Sequence, residues 1–230
     1  MRLPSPLLAG TLVRRYKRFF ADVELDDGTL VTAHTPNTGS MLQCAVPGHP
    51  VLVSKNDDPR RKLKYTLELI RVKGHWVDTH TQRSNRVVEE GLRCGSIPEL
   101  AGCRVTPEFR FGASRLDFLL ERDGERILVE VKNVTLTDGG STALFPDAVT
   151  VRGRKHLLEL AAAVDAGYRA VIFFLVQRGE AEAFAPADEI DPEYGRLLRE
   201  VAGRGVEVLA YRTVVSETEN RIGVRLPVIL

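Results

Sequence analysis

Cysteine is scarce in this chain: Cys44, Cys94 and Cys103 are the only three among 230 residues. An odd count without metal-ligand spacing excludes a disulfide-stapled scaffold and a zinc finger. It predicts buried free thiols in a protein of the reducing cytoplasm. His34, His49, His75 and His80 have no cysteine partners at zinc spacing. No run of about 18 apolar residues is present, so no membrane partner is expected. The N-terminus lacks the apolar stretch and small-residue cleavage site of a signal peptide. Internal repeats and low-complexity tracts are absent, which excludes a solenoid. No helix-turn-helix with base-reading residues is evident, which argues against sequence-specific DNA recognition. Net charge is also nearly missing, at +1. Nothing in the sequence sets the oligomeric state, and a homo-oligomer is left open.

The charge that is present is unevenly spread. Residues 1–80 carry twelve Lys/Arg against eight Asp/Glu, and the remainder carries twenty against twenty-three. Two basic clusters stand out in the first part, Arg14-Arg15-Tyr16-Lys17-Arg18 and Arg60-Arg61-Lys62-Leu63-Lys64. Such clusters can neutralise phosphates. Around them lie short strand candidates: Leu12–Tyr16, Phe19–Leu25, Leu30–His34, Val51–Lys55 and Tyr65–Val72. In the last, Tyr65, Leu67 and Leu69 should point inward and Thr66 and Glu68 outward. About five short strands with Gly/Pro punctuation predict a small barrel of the OB type, a fold that commonly holds single-stranded nucleic acid; an SH3-like barrel is the alternative.

Beyond a boundary near residues 78–84 the periodicity changes, dividing the chain into residues 1–80 and 81–230. Helices are expected over Asn85–Cys94, Arg152–Ala163 and from Pro192 to about Ala202. Strands are expected over Arg104–Arg110, Arg115–Leu120, Arg126–Val131, Arg169–Val176 and Gly205–Tyr211. The apolar run of Arg169–Val176 reads as a central strand covered on both faces. This order predicts a mixed α/β (α+β) sheet flanked by helices.

The chemistry concentrates on one hairpin. Asp117 is followed thirteen positions later by Glu130 and then Lys132. Strand side chains repeat every two residues, so Glu130 and Lys132 share a face while Val129 and Val131 point into a core. The Asp123-Gly124 turn signal folds Asp117 back beside Glu130. Two carboxylates suit Mg²⁺ (or Mn²⁺), which takes one or two acidic ligands and keeps several waters. A lysine beside them can orient the attacking water or stabilise charge in the transition state. The Val131 carbonyl is a further candidate ligand. Glu89 and Glu90 on the first helix point about 100° apart, so only one of them can face the sheet. Arg152, Arg154, Lys155 and His156 cluster at a helix start, a ready phosphate site. Gln177 and Arg178 end the buried strand and could reach the same mouth.

Longer motifs take the reading further. Pro36-Asn37-Thr38-Gly39-Ser40-Met41, Arg115 with Asp117-Phe118, Glu130-Val131-Lys132-Asn133-Val134-Thr135-Leu136, Phe145-Pro146-Asp147-Ala148-Val149-Thr150 and Lys155-His156-Leu157 resemble the sugar fermentation stimulation protein A (SfsA) family. The resemblance runs from about residue 10 to residue 211. It implies an N-terminal OB-like domain joined to a nuclease-like domain of the PD-(D/E)XK class, and largely sequence-independent DNA binding, with RNA as a further possibility. By this resemblance Asp117 and Glu130 are metal ligands, Lys132 is the class lysine, and Glu90 is the helix acid, in a Glu90-Gly91-Leu92 stretch where the family has alanine. Arg15, Lys17, Arg18, Arg61, Lys62, Lys64, Arg152, Arg154 and Lys155 are the expected phosphate contacts. The alternative is a non-catalytic DNA-binding regulator of sugar (maltose) metabolism genes that retains the nuclease fold. The turn at residues 37–41 carries no mechanism legible in the sequence.

Overall fold

Alternating apolar residues close the first part of the chain on itself. The computed structural model describes residues 1–37, 39–112 and 114–230. Strands β1 (Leu7–Tyr16), β2 (Phe20–Leu25), β3 (Leu30–His34), β4 (Pro50–Lys55) and β5 (Tyr65–Val72) form a sheet in the order β3-β2-β1-β4-β5, and β3 pairs with β5 to complete a five-stranded barrel. The expected OB-type barrel is thus the observed one. Its interior is filled by Leu12, Val23, Ala33, Val51, Val53, Leu67 and Ile70 among others. Strand β6 (His75–Asp78) pairs with β5 and leads into the second part.

That part begins with helix α1 (Thr81–Arg93), followed by β7 (Arg104–Phe111), β8 (Ser114–Arg122), β9 (Glu125–Val134), β10 (Leu136–Thr137) and β11 (Thr142–Phe145). Helix α2 (Val151–Asp165), β12 (Arg169–Val176), β13 (Ala183–Pro186), α3 (Pro192–Gly203), β14 (Val206–Val215) and β15 (Asn220–Arg225) complete it. The main sheet has the order β15-β14-β12-β9-β8-β7. Strand β12 runs parallel to both β9 and β14, and every residue in it after Arg169 is buried. It is the two-sided central strand its composition predicts. One face of the sheet packs Phe118, Val129, Val131 and Phe173 against Val87, Val88 and Leu92 of α1. The other packs Leu119, Leu128 and Phe174 against Leu157 and Leu160 of α2 and Leu198 and Val201 of α3.

The hairpin forms as its turn dictates. Asp123 and Gly124 both adopt positive φ, 51° and 84°, the requirement of a type I′ turn. Arg122 pairs with Glu125 and the register runs on to Phe118 opposite Val129.

Two expectations need correction. Thr66 and Glu68 do not face water: they are 8% and 3% exposed. Thr66 lies under the Arg61 side chain, which donates to its hydroxyl, and Glu68 is buried because the outer surface of the barrel is covered by α1 at this point. The Glu68 carboxylate pairs with the buried Arg83 of α1, whose Nη1 also donates to Asp78 Oδ1 at 3.0 Å. Of the three cysteines, all free, only Cys44 is buried; Cys94 is exposed and Cys103 half-buried. Burial pushes the Cys44 thiol up to about 11, which leaves it protonated and inert.

Gly91, where alanine would favour helix, has a packing reason. A Cβ there would lie 2.5 Å from Cγ1 of the buried Ile222 on β15. Overpacking of this kind costs about 1–3 kcal/mol, against a helix gain of up to about 1 kcal/mol. Gly91→Ala is therefore expected to lower stability by roughly 1 kcal/mol in urea unfolding; a stabilised variant would show that helix propensity dominates.

Candidate active site

Asp117 lies one residue beyond the last β8–β9 pair, opposite Glu130. Released from the ladder, its Oδ2 accepts the backbone N–H of Val131 at 2.7 Å, and its Oδ1 accepts Asn85 Nδ2 of α1 at 2.6 Å. Glu130 turns instead to α2. Its Oε1 accepts Lys132 Nζ at 2.7 Å and is in contact with His156 Nδ1. Lys132 Nζ also lies 3.2 Å from His156 Nδ1. The cluster therefore sits where β8 and β9 meet the early turns of two helices. The expected trio of Asp117, Glu130 and Lys132 is brought together.

The electrostatics separate the two acids. Burial, reinforced by the negative charge of Glu130, pushes the Asp117 carboxyl up to about 6. Burial would raise Glu130 too, but the His156 ring and the Lys132 ammonium outweigh it and hold that carboxyl below the usual range. Glu130 Oε2 is buried and accepts no hydrogen bond from the described residues. An orphaned carboxylate oxygen with a second carboxylate near enough to feel its charge is a place for a cation. Among the described residues no group of three or more His, Cys, Asp or Glu side chains forms a metal cage. Two carboxylates, one with an unpartnered oxygen, are donors of the kind a hard ion such as Mg²⁺ takes, with waters completing its shell.

Glu90 is not brought to this cluster. It is 58% exposed and pairs with the N-terminal amino group, because the helix turns it about 100° away from the next position. The face that does meet Asp117 carries Asn85, with Glu89 one turn on, paired to Arg93 at 2.8 Å. Gln177 and Arg178 do not reach the mouth either. Arg178 is 1% exposed, its guanidinium donating to Glu180, Gln43 and the Thr135 carbonyl. Gln177 donates to Asn133 Oδ1 at 3.0 Å, and Ser84 donates to the same atom. His156, grouped in the sequence with Arg152, Arg154 and Lys155 as a phosphate site, is instead buried against Glu130; its spacing to Leu157 and Leu160 was the available signal.

The turn at residues 37–41 acquires a role, with Thr38 outside the described residues. Ser40 Oγ and the Met41 N–H donate to Asp147 Oδ2 at 2.8 and 3.0 Å. Asn37 Nδ2 donates to the Thr79 carbonyl at 2.9 Å. Arg15 donates to the carbonyls of Asn37, Gly39, Ser40 and Arg18. The Phe145–Thr150 motif completes the arrangement: Phe145 packs on Phe174 and Tyr194, Asp147 holds the barrel turn, and Thr150 caps α2 by accepting the Gly153 N–H. Asp147 and Asn85 escaped the sequence reading because their partners lie in other elements.

The expected phosphate contacts divide accordingly. Arg15 is occupied by carbonyls, Lys64 by the carbonyls of Asp57 and Asp58, and Arg154 by Asp191 at 3.3 Å. Lys155 is exposed beside Glu159. Arg152 lines a pocket of about 330 Å³ together with Lys132, Asn85 and Asp147. Arg18 lines a neighbouring hollow of about 620 Å³, and Arg61 a larger one of about 790 Å³ between the barrel and α1. Lys17 and Lys62 are exposed. The three hollows are contiguous along the domain seam: the middle one shares Asn37 and Thr81 with the largest, and Gly39, Phe145 and Asp147 with the other.

No helix among the described residues is long and apolar enough to cross a membrane. Comparison with known proteins agrees in both domains. Residues 13–78 match the model of the SfsA N-terminal OB domain, and residues 82–219 that of the sugar fermentation stimulation protein RE domain. A sugar fermentation stimulation protein homolog of Syntrophotalea carbinolica is 66% identical, over 99% of each chain. One from Geobacter sulfurreducens is 58% identical over 100% of this chain and 99% of its own. The structure of Pyrococcus furiosus SfsA in complex with Ca²⁺ is similar with a TM-score of 0.91 and 30% identity, covering 100% of this chain and 98% of that one. With barrel and mixed sheet both matched at full length, this chain is a member of the sugar fermentation stimulation protein (SfsA) family.

Proposed function

We propose that the protein binds DNA along the seam between its domains and hydrolyses phosphodiester bonds there, with Mg²⁺ or Mn²⁺ held by Asp117 and Glu130. The observation that carries this reading is the unpartnered, buried Glu130 Oε2 opposite Asp117, with Lys132 Nζ 2.7 Å from the other oxygen. The Ca²⁺ bound by the Pyrococcus furiosus relative supports it, since Ca²⁺ is a hard, oxygen-seeking ion of the same kind. The bound metal would supply Lewis-acid polarisation of the phosphate and a water of lowered pKa.

The protein's own groups do the rest. Asn85 fixes Asp117 through Oδ1, and His156 fixes Glu130 through Oε1. Ligands locked by such outer contacts hold a cation in one geometry. Lys132 holds the attacking water and offsets the charge that grows on the phosphate. Arg152, at the pocket wall, receives a phosphate oxygen of the bound strand.

The test is a cleavage assay on single-stranded, duplex and branched DNA and on RNA, with Mg²⁺ or Mn²⁺, run beside Asp117→Ala. Cleavage of at least one form by the wild type, lost in the variant while DNA binding persists, is the expected result. No cleavage of any form would reject the enzyme reading and leave a non-catalytic DNA-binding regulator.

Asp117 makes metal binding depend on pH. Its carboxyl, raised to about 6, is protonated and neutral below that value and must lose a proton before it can ligate. Ca²⁺ affinity should therefore rise about tenfold per pH unit up to about pH 6 and level off above it. Titration calorimetry in buffers of different ionisation enthalpy should show proton release at pH 5 and none at pH 8. Affinity independent of pH over that range would show that Asp117 is not a ligand.

A further inference from the structure

The largest of the three contiguous hollows, about 790 Å³, lies beside the candidate active site rather than within it. Its walls come from three parts of the chain that are distant in sequence. The barrel supplies Phe19 from the β1–β2 loop and Lys55, Asn56 and Arg61 from the end of β4 and the β4–β5 loop. These are the two loops with which OB folds grip oligonucleotides. The second basic cluster, residues 60–64, lies on the β4–β5 loop, and the first ends on the β1–β2 loop with Lys17 and Arg18. From outside the barrel come Arg2 of the N-terminal segment and Arg86 of α1.

The charge in this hollow is one-sided. Among the described residues Glu68 is the only acid in its wall, and it is already paired with Arg83. Arg2 and Arg86 are exposed and make no ion pair or side-chain hydrogen bond among the described residues. Two buried polar groups in the wall also lack partners: the Thr35 hydroxyl, on a residue with no exposed surface, and His80 Nδ1. Phe19 is 45% exposed at the rim. A surplus of cations, unsatisfied buried polar atoms and an exposed aromatic ring are the requirements of a phosphate chain with bases attached. The hollow meets the Lys132 pocket at Asn37 and Thr81.

We infer that this hollow holds a single strand of nucleic acid on one side of the scissile phosphate, with Arg2 and Arg86 on its backbone and Phe19 against a base, so that the substrate is a single strand or a frayed end. The inference rests on the proposed function and deepens it by naming the form of substrate. The barrel then acts as the grip that delivers the strand to the cluster. Arg86 follows Asn85 on α1, so one helix holds both the strand and the Asp117 carboxylate.

The test measures binding without cleavage. A fluorescent 20-nucleotide single strand of DNA and a blunt duplex of the same sequence are titrated in Ca²⁺ at several salt concentrations, with wild type and with Arg2→Ala/Arg86→Ala. Both arginines are exposed, so the fold should persist, and a thermal melt checks it. The wild type should prefer the single strand by about tenfold or more. The double variant should lose about tenfold in single-strand affinity. Its salt slope should fall by about 1.4, the effect of two phosphate contacts at about 0.7 each on a single strand. A preference for duplex, or a variant with unchanged affinity and slope, would overturn the inference while leaving the proposed function standing. A wild type that binds no nucleic acid would overturn both.

Discussion

Lys132→Ala is expected to reduce metal-dependent DNA cleavage by about a thousandfold while DNA affinity in Ca²⁺ changes little. Among the described residues Lys132 is the one lysine or arginine within hydrogen-bond distance of Glu130 Oε1, which the His156 ring also contacts. Lys132 lines the pocket that the proposed function assigns to the phosphate. Removing a single preorganised group that acts on developing charge costs about 10²–10³ in kcat, and losing a group that positions or deprotonates the water costs about 10²–10⁴. The lysine acts in the transition state more than on the bound strand, so kcat should fall and KM should hold. Binding depends on the arginines along the seam, which the variant keeps. A thermal melt close to that of the wild type is needed to exclude collapse of Glu130. A variant that cleaves within threefold of the wild type would remove Lys132 from the mechanism.

Arg83→Met should destabilise the whole protein by about 3–5 kcal/mol, the cost of breaking a buried ion pair by removing one partner. Arg83 lies between Glu68 of the barrel and Asp78 at the end of β6, and all three are nearly inaccessible. Burial already pushes the Asp78 carboxyl above its usual range, and the nearby guanidinium opposes that push. Without it, Asp78 keeps the His80 N–H and Asn220 Nδ2, and Glu68 keeps the Ser54 hydroxyl. Neither retains a counter-charge. In a chain of this size each kcal/mol moves Tm by about 2–4 °C, so a fall of roughly 6–20 °C is expected by calorimetry. A change under about 2 °C would show that this cluster contributes nothing net. The effect should extend to the active site, because Asn220 and Gln177 continue the polar chain from Asp78 to Asn133, beside Lys132.

Much of the site was legible in the sequence because it is built from local geometry. The two-residue period of β9 puts Glu130 and Lys132 on one side, and Asp123-Gly124 sets the register that returns Asp117 to Glu130. Barrel strands and the covered strand β12 follow from apolar patterning in the same way. Glu90 illustrates the limit. A helix with two adjacent acids does not say which faces the sheet; that depends on how α1 rolls against β15, where Gly91 meets Ile222. Glu68 shows another limit. Alternation separates the inside of a barrel from its outside, but what covers the outside belongs to a different part of the chain. The basic clusters read as phosphate contacts, yet Arg15 holds four carbonyls and Lys64 two. Guanidinium and ammonium groups donate to protein carbonyls as well as to phosphate oxygens, so a basic run alone does not say which it holds.

By itself, then, the sequence determined the five barrel strands, the three helices, the strongly patterned sheet strands, the hairpin and the three groups at its end. These depend on side-chain period and turn chemistry within a few tens of residues. The short strands β6, β10, β11 and β13 and the edge strand β15 were not among them. Tertiary structure alone decided which side chains support those groups: Asn85 on Asp117, His156 on Glu130, Asp147 on the barrel turn, and Arg83 across the seam. Each of these contacts joins residues from separate elements, most of them tens of residues apart. Their meeting depends on how helices and barrel pack, a property of the assembled core that no local pattern encodes.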